Sequence, residues 1–139
     1  MRGITYGNYH TYTAFGLYLQ NHDVTQPVPR RHKVTIPGAH GALDTSKTLT
    51  GTLLYDNRTI TASFVMMGAR EEWAARYSEI LQAIHGKDLQ IILDDDPDYY
   101  YQGFIEVGAL VPGNSTASIS IVADVYPFKH ERNGEGVKM

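Results

Sequence analysis

Across residues 58–67 the chain alternates. Ile60, Ala62, Phe64 and Met66 fall on one phase, and Thr59, Thr61, Ser63 and Val65 on the other. A period of two gathers one buried face only in a strand. Residues 116–126 repeat the pattern, with Ala117, Ile119, Ile121, Ala123 and Val125 against Ser118, Ser120, Val122, Asp124 and Tyr126. Residues 89–93 and 99–107 read as two further strands; in the second, Tyr99 and Tyr101 share the phase of Ile105 and Val107, while Tyr100 goes with Gln102, Phe104 and Glu106. Earlier, Phe15, Leu17 and Leu19 alternate with Gly16, Tyr18 and Gln20, and Val34 and Ile36 run into Pro37-Gly38, a natural strand stop.

One segment keeps a different rhythm. In EEWAARYSEILQAIHGK the residues Trp73, Tyr77, Ile80, Leu81 and Ile84 form the apolar stripe of an amphipathic helix of about four turns. Glu71 and Glu72 suit its positive N-terminal end, and Gly86 suits its C-cap. Several strands, one helix and then three strands predict an α+β domain, a mainly antiparallel β-sandwich with one flanking helix. Residues 37–50, PGAHGALDTSKTLT, read as a long loop, and ERNGEGVKM as a frayed tail, which divides the chain into a domain over 1–131 and a flexible segment over 132–139.

Composition narrows the chemistry. At 139 residues one core is expected, and a net charge of -3 from twelve basic and fifteen acidic residues leaves no basic stripe to grip nucleic acid or an anionic membrane. Without cysteine there are no disulfides, thiolate metal sites or cysteine nucleophile. No apolar run reaches the length that spans a bilayer, and MRGITYGNYHTYT lacks an apolar signal core, so a soluble protein made inside a cell is expected. Asn57-Arg58-Thr59 and Asn114-Ser115-Thr116, which match the glycosylation pattern, then read as turns.

The most conspicuous chemistry is DDDPDYYYQG, residues 94–103. Asp94, Asp96 and Asp98 take the first, third and fifth positions of a calcium loop, but the sixth is Tyr99 in place of glycine and the twelfth is Ile105 in place of glutamate. A turn joining two strands is the better account. The six histidines lack the spacing of a helical zinc motif, Gly86-Lys87 lacks the upstream glycine of a phosphate loop, and no serine sits in a nucleophile elbow. No catalytic residue, metal site or cofactor is predicted, and the chain is expected not to be an enzyme. A hydrolase using the aspartates would need a cleft that the sequence does not reveal.

The second phase of the strands is the unusual feature. Val65, Met67, Tyr100, Phe104, Val122 and Tyr126 sit out of phase with the inward series, so one buried layer leaves them outside. They are the predicted interface residues, together with Ile36 and with Pro37 and Leu43 of the loop over 37–50, which would reach a neighbour. A small carbohydrate-binding sandwich is the rival from another class, since ten tyrosines and a tryptophan supply stacking surfaces. Trp73 argues against it, because it heads the apolar stripe of the helix.

Five segments in order, IPGAHGALD (36–44), RTITASF (58–64) after Tyr55, ILQAIHGK (80–87), LDDDPDYYYQG (93–103) and ADVYPFKHE (123–131), give a chain that resembles the N-terminal ring domain of the distal tail proteins of long-tailed bacteriophages. The resemblance covers residues 3–131. It implies a tail-tube-like β-sandwich with one flanking helix, six copies of which form a ring at the tail tip. It further implies a virion protein assembled in the bacterial cytoplasm, with the tail-tube protein, the tip hub protein and the tape-measure protein as partners, and DNA passing through the lumen unbound. DDDPDYYYQG corresponds to a strand-turn-strand connection in this reading. Many members continue into a carbohydrate-binding domain, whereas this sequence stops eight residues after Glu131, so an architectural role is expected. A tail-tube subunit is the nearest alternative.

Overall fold

The computed structural model describes residues 2–30, 33–35, 38, 42–44 and 54–139, with the side chains of 33–35 and 42–44 left aside. In chain order the strands are β1 (Ile4–Tyr6), β2 (Tyr9–His10), β3 (Leu17–Val24), β4 (Pro29–Arg30), β5 (Lys33–Thr35), β6 (Ala42–Asp44), β7 (Leu54–Tyr55) and β8 (Arg58–Met66). A 3-10 turn (Arg70–Glu72) leads into helix α1 (Trp73–Ile84), and β9 (Lys87–Leu93), β10 (Tyr99–Val107), β11 (Val111–Pro112), β12 (Ala117–Val125), β13 (Lys129–Glu131) and β14 (Val137–Lys138) follow. The fold is α+β, with antiparallel pairing throughout the described ladders and a single helix among the described residues.

Ten strands join one sheet, whose main path runs β2-β1-β9-β10-β12-β8-β3. Its two ends approach each other. Thr11, between β2 and β3, gives its amide to the carbonyl of Ile4 in β1 at 3.0 Å and takes the amide of Leu17 in β3 at 2.9 Å on its own carbonyl. The sheet therefore curls until its flanks face each other across one core, and the body is sandwich-like. Ile60, Phe64, Met66, Ile91, Ile105, Ile119 and Ile121 line that core, and α1 adds Trp73, Ile80 and Ile84. Each such aliphatic side chain contributes about 1.5–3 kcal/mol by leaving water. Tyr77 and Leu81, the other members of the helical stripe, are half-buried against the same cluster.

The helix is held by polar contacts at both ends. Arg76 donates to the carbonyls of Met67 at 2.6 Å and Phe15 at 2.8 Å, and the Tyr77 hydroxyl donates to the carbonyl of Gly108 at 2.8 Å. Beyond the last turn, Gly86 takes a φ of +72°, which glycine adopts freely, and its amide meets the carbonyl of Ile105 at 2.8 Å.

Several elements differ from expectation. The helix has 12 residues, a little over three turns, because Glu71 and Glu72 belong to the 3-10 turn that precedes it. Within the segment read as a loop, β6 pairs with β5 as a hairpin; three residues are too few to show a period. The alternation starting at Phe15 becomes a strand only at Leu17, and a bulge between Leu19 and Asn21 shifts its phase. After α1, the three long strands β9, β10 and β12 are joined by the short β11, β13 and β14. The segment over 132–139 carries β14, paired to β13 through Lys129–Lys138 and His130–Val137.

Candidate interaction surface

Strand register sorts the side chains of the sheet into two faces. In β12, Ser118, Ser120, Val122 and Asp124 point outward, opposite Val65, Ser63, Thr61 and Thr59 of β8. On the other side, Asp124 and Val122 face Phe104 and Glu106 of β10, and Phe104 in turn faces Asp88 of β9. In β3 the outward positions are Tyr18, Asn21 and Asp23. Four acids, Asp23, Asp88, Glu106 and Asp124, thus share this face, and no lysine or arginine holds an outward position of β3, β8, β9, β10 or β12. Charges so arranged give the face a negative potential.

Its apolar residues gather at two ends. At one, Phe104 (43% exposed) and Tyr126 (55%) border a recess of about 120 Å³ with Asp88, Gln102 and Asp124. At the other, Tyr18, Val65, Ser118 and Val111 form a cross-strand row, and the Tyr18 ring meets that of Tyr12 edge-on at 5.4 Å. Six residues of β12 separate the two ends, about 20 Å at strand rise. Hydroxyls of Thr61, Ser63 and Ser120 fill the space between.

Of the residues predicted at interfaces, Phe104, Val122 and Tyr126 are exposed and lie together on this face. Met67 is exposed just past the end of β8, and Tyr100 is half-buried, its ring stacked on His130 at 5.5 Å. Val65 has the outward register but is only 8% exposed, covered within its own molecule. Ile36, Pro37 and the Leu43 side chain lie outside the described residues. Sequence reasoning passed over Asp23 and Asp88 as members of the face. Their phase is readable only once the pairing of β3 and β9 is known.

The acidic turn joins β9 to β10, as expected of a strand-turn-strand connection, and its carboxylates diverge. Asp94 accepts from the amide of Gly3 and lies 2.9 Å from Nε2 of His10; Asp95 faces Arg2 and His22, each at 3.5 Å; Asp96 pairs with Lys129. Among the described residues no three His, Asp or Glu side chains converge as a metal site. Arg132 adds two bonds to the carbonyls of Asp98 and Pro97, both 2.9 Å. Lys129 and Lys138 sit over the Tyr99 ring at 4.8 and 5.6 Å, and the bond with Tyr99 raises the Lys138 pKa above its ordinary value. Trp73 is buried and offers no stacking surface. No helix among the described residues is long and apolar enough to cross a membrane.

No protein-family model and no curated protein matches the sequence. Among solved structures, the chain superposes on the crystal structure of Dit (gp 19.1) of phage SPP1 with a TM-score of 0.75 over 94% of its length, at 16% identity. It shares the fold of SPP1 Dit. That protein is described as a paradigm of the hub adsorption apparatus in phages that infect Gram-positive hosts, and this chain spans about half of it, 52%. The fold expected from the quoted segments is the one found.

Proposed function

We propose that the chain is a structural, non-enzymatic subunit of a phage tail tip, a virion protein whose copies close into a ring of six between the tail tube and the tip hub. The observation that carries this reading is the fold shared with SPP1 Dit across nearly the whole chain. A closed ring uses heterologous contacts, in which one patch of each subunit meets a different patch of the next. Separate apolar clusters around Phe104 and Tyr126 and around Tyr18 and Val111 suit that need.

DNA passes through the lumen of such a ring and must not stick to it. Every phosphate neutralised by a lysine or arginine adds counterion-release free energy that sliding would have to reverse. An outward sheet face with four acids and no lysine or arginine at its outward strand positions supports a repelling wall. The tube and hub proteins are the axial partners, and the tape-measure protein is a further one.

Native mass spectrometry and electron microscopy of the purified protein, alone and with tail extracts as template, test the ring. The expected result is a closed particle six times the chain mass. Monomers within assembled tails overturn it. A gel-shift assay with duplex DNA at about 50 mM salt tests the wall, where electrostatic binding is easily seen. Tight, steeply salt-dependent binding by the ring would overturn the repelling lumen.

A further inference from the structure

A groove on another side of the molecule has different chemistry. It runs between the N-terminal segment and the outer side of α1 as a shallow, open depression of about 400 Å³, lined by Tyr9, Ala14, Phe15, Glu79, Gln82 and Ala83. Such a shape suits a ligand that lies on the surface with one face in contact. The Tyr9 and Phe15 rings stack at 5.6 Å with their planes 21° apart, and Tyr9 is 41% exposed. Ala14 and Ala83 leave the neighbourhood of the rings free of bulk.

The aromatic pair is set in place from the helix. Arg76 donates to the carbonyls of Phe15 at 2.8 Å and Gly16 at 3.2 Å, which fixes the backbone that carries the Phe15 ring. Its other bond goes to Met67, so this cation, three residues before Glu79, is engaged away from it. Glu79 and Gln82 are exposed, and at a spacing of three they rise from one side of α1.

An aromatic plate flanked by one carboxylate and one amide selects among ligands. A purely apolar molecule would strip water from Glu79 without returning a hydrogen bond. A phosphate or other anion would be repelled by the same carboxylate. A pyranose ring offers C–H groups on one face for the plate and hydroxyls around its rim, which donate to Glu79 and both donate to and accept from Gln82. We propose that this groove binds a neutral saccharide, with Tyr9 as the stacking plate and Glu79 and Gln82 as the hydroxyl partners. The proposal does not depend on the ring reading, since it concerns one chain and a face away from the outward sheet.

Saturation-transfer NMR on the intact protein tests it, with maltotriose, chitotriose and rhamnose as probes at millimolar concentration and trilysine as the cationic competitor. The expected result is transfer to the ring protons of at least one sugar, abolished in Tyr9→Ala and weakened at least tenfold in the double variant Glu79→Ala/Gln82→Ala, with Val28→Ala, at an exposed residue outside the groove, unchanged. The helix variant replaces exposed side chains with a good helix former, so it keeps the test open if Tyr9→Ala does not fold. Absence of transfer to all three sugars, equal transfer in the variants, or preferential binding of trilysine overturns the proposal.

Discussion

The amide of Ile4 donates to the side-chain oxygen of Thr11 at 3.2 Å, beside the reciprocal bond from the Thr11 amide to the Ile4 carbonyl. One fully buried threonine thus completes the edge of β1 while its own carbonyl holds β3. Replacing Thr11 with valine keeps the shape and removes the acceptor, leaving a buried amide without its bond. A loss of about 1–3 kcal/mol is expected in urea unfolding, with Thr11→Ser closer to the parent. An unchanged Thr11→Val midpoint would show that the closure does not depend on this bond.

Tyr6 is fully buried, and its hydroxyl has no partner among the described residues. Burial pushes its pKa well above the ordinary tyrosine value of 10.0. The folded state therefore holds the phenolic proton more tightly than the unfolded chain does. Stability from this group is complete below about pH 10 and falls as pH rises beyond it. Tyr6→Phe removes both the titration and the unpartnered hydroxyl, so the variant is expected to match or exceed the parent at pH 7 and to unfold at higher pH in an alkaline titration followed by circular dichroism.

Gly103 faces Val125 across β10 and β12 at a separation that excludes a side chain. A Cβ there would stand 2.3 Å from the Asp124 carbonyl oxygen and 2.6 Å from the Val125 Cα, both backbone atoms. Gly103→Ala is expected to cost at least about 1–3 kcal/mol in thermal or urea unfolding. Gly103 has no positive φ, so its loss reports crowding; the same change at exposed Gly38, whose added Cβ meets nothing within 4 Å among the described residues, reports the strain of a positive φ of 80°.

Lys129 links β13 to the acidic turn through Asp96 and lies over Tyr99. Lys129→Ala is expected to raise amide hydrogen exchange over 129–138 and leave β8 and β12 as protected as before. Global stability moves by less than about 1 kcal/mol, since partly exposed ion pairs contribute little. Equal exchange in both forms would assign the hairpin's order to its backbone bonds.

Phe104 and Tyr126 are exposed apolar groups on a mixed surface. The double change Phe104→Ser/Tyr126→Ser is expected to weaken self-association at least tenfold in sedimentation velocity, with the thermal midpoint of the monomer within a few degrees of the parent, because neither ring is in the core. Full association in the variant would remove this patch from the interface.

The legible part of the fold is the part with long periods. The nine-residue strands β8, β10 and β12 show their buried phase directly, and α1 shows its stripe from Trp73 to Ile84. Strands such as β1, β6 and β13, with three residues each, are held by partners remote in sequence and leave no period to read. The bulge after Leu19 breaks the one alternation in the N-terminal third. At the surface, the phase of Phe104, Val122 and Tyr126 was readable, while the shielding of Val65 and the shared face of Asp23 and Asp88 arise only from pairing. The Tyr9–Phe15 groove was hidden for a similar reason, since its walls come from residues some seventy positions apart.

The turn over 94–98 holds Gly3 and Arg2 on one side and Lys129 and Arg132 on the other. Arg2–Gly3 and Lys129–Arg132 are thus anchored to adjacent residues of one turn. In topological terms the order in which the strands are joined is partly arbitrary. A circular permutant that bridges the two ends and opens the exposed turn at 113–116, between β11 and β12, would keep every ladder of the sheet while moving both termini to another side of the molecule.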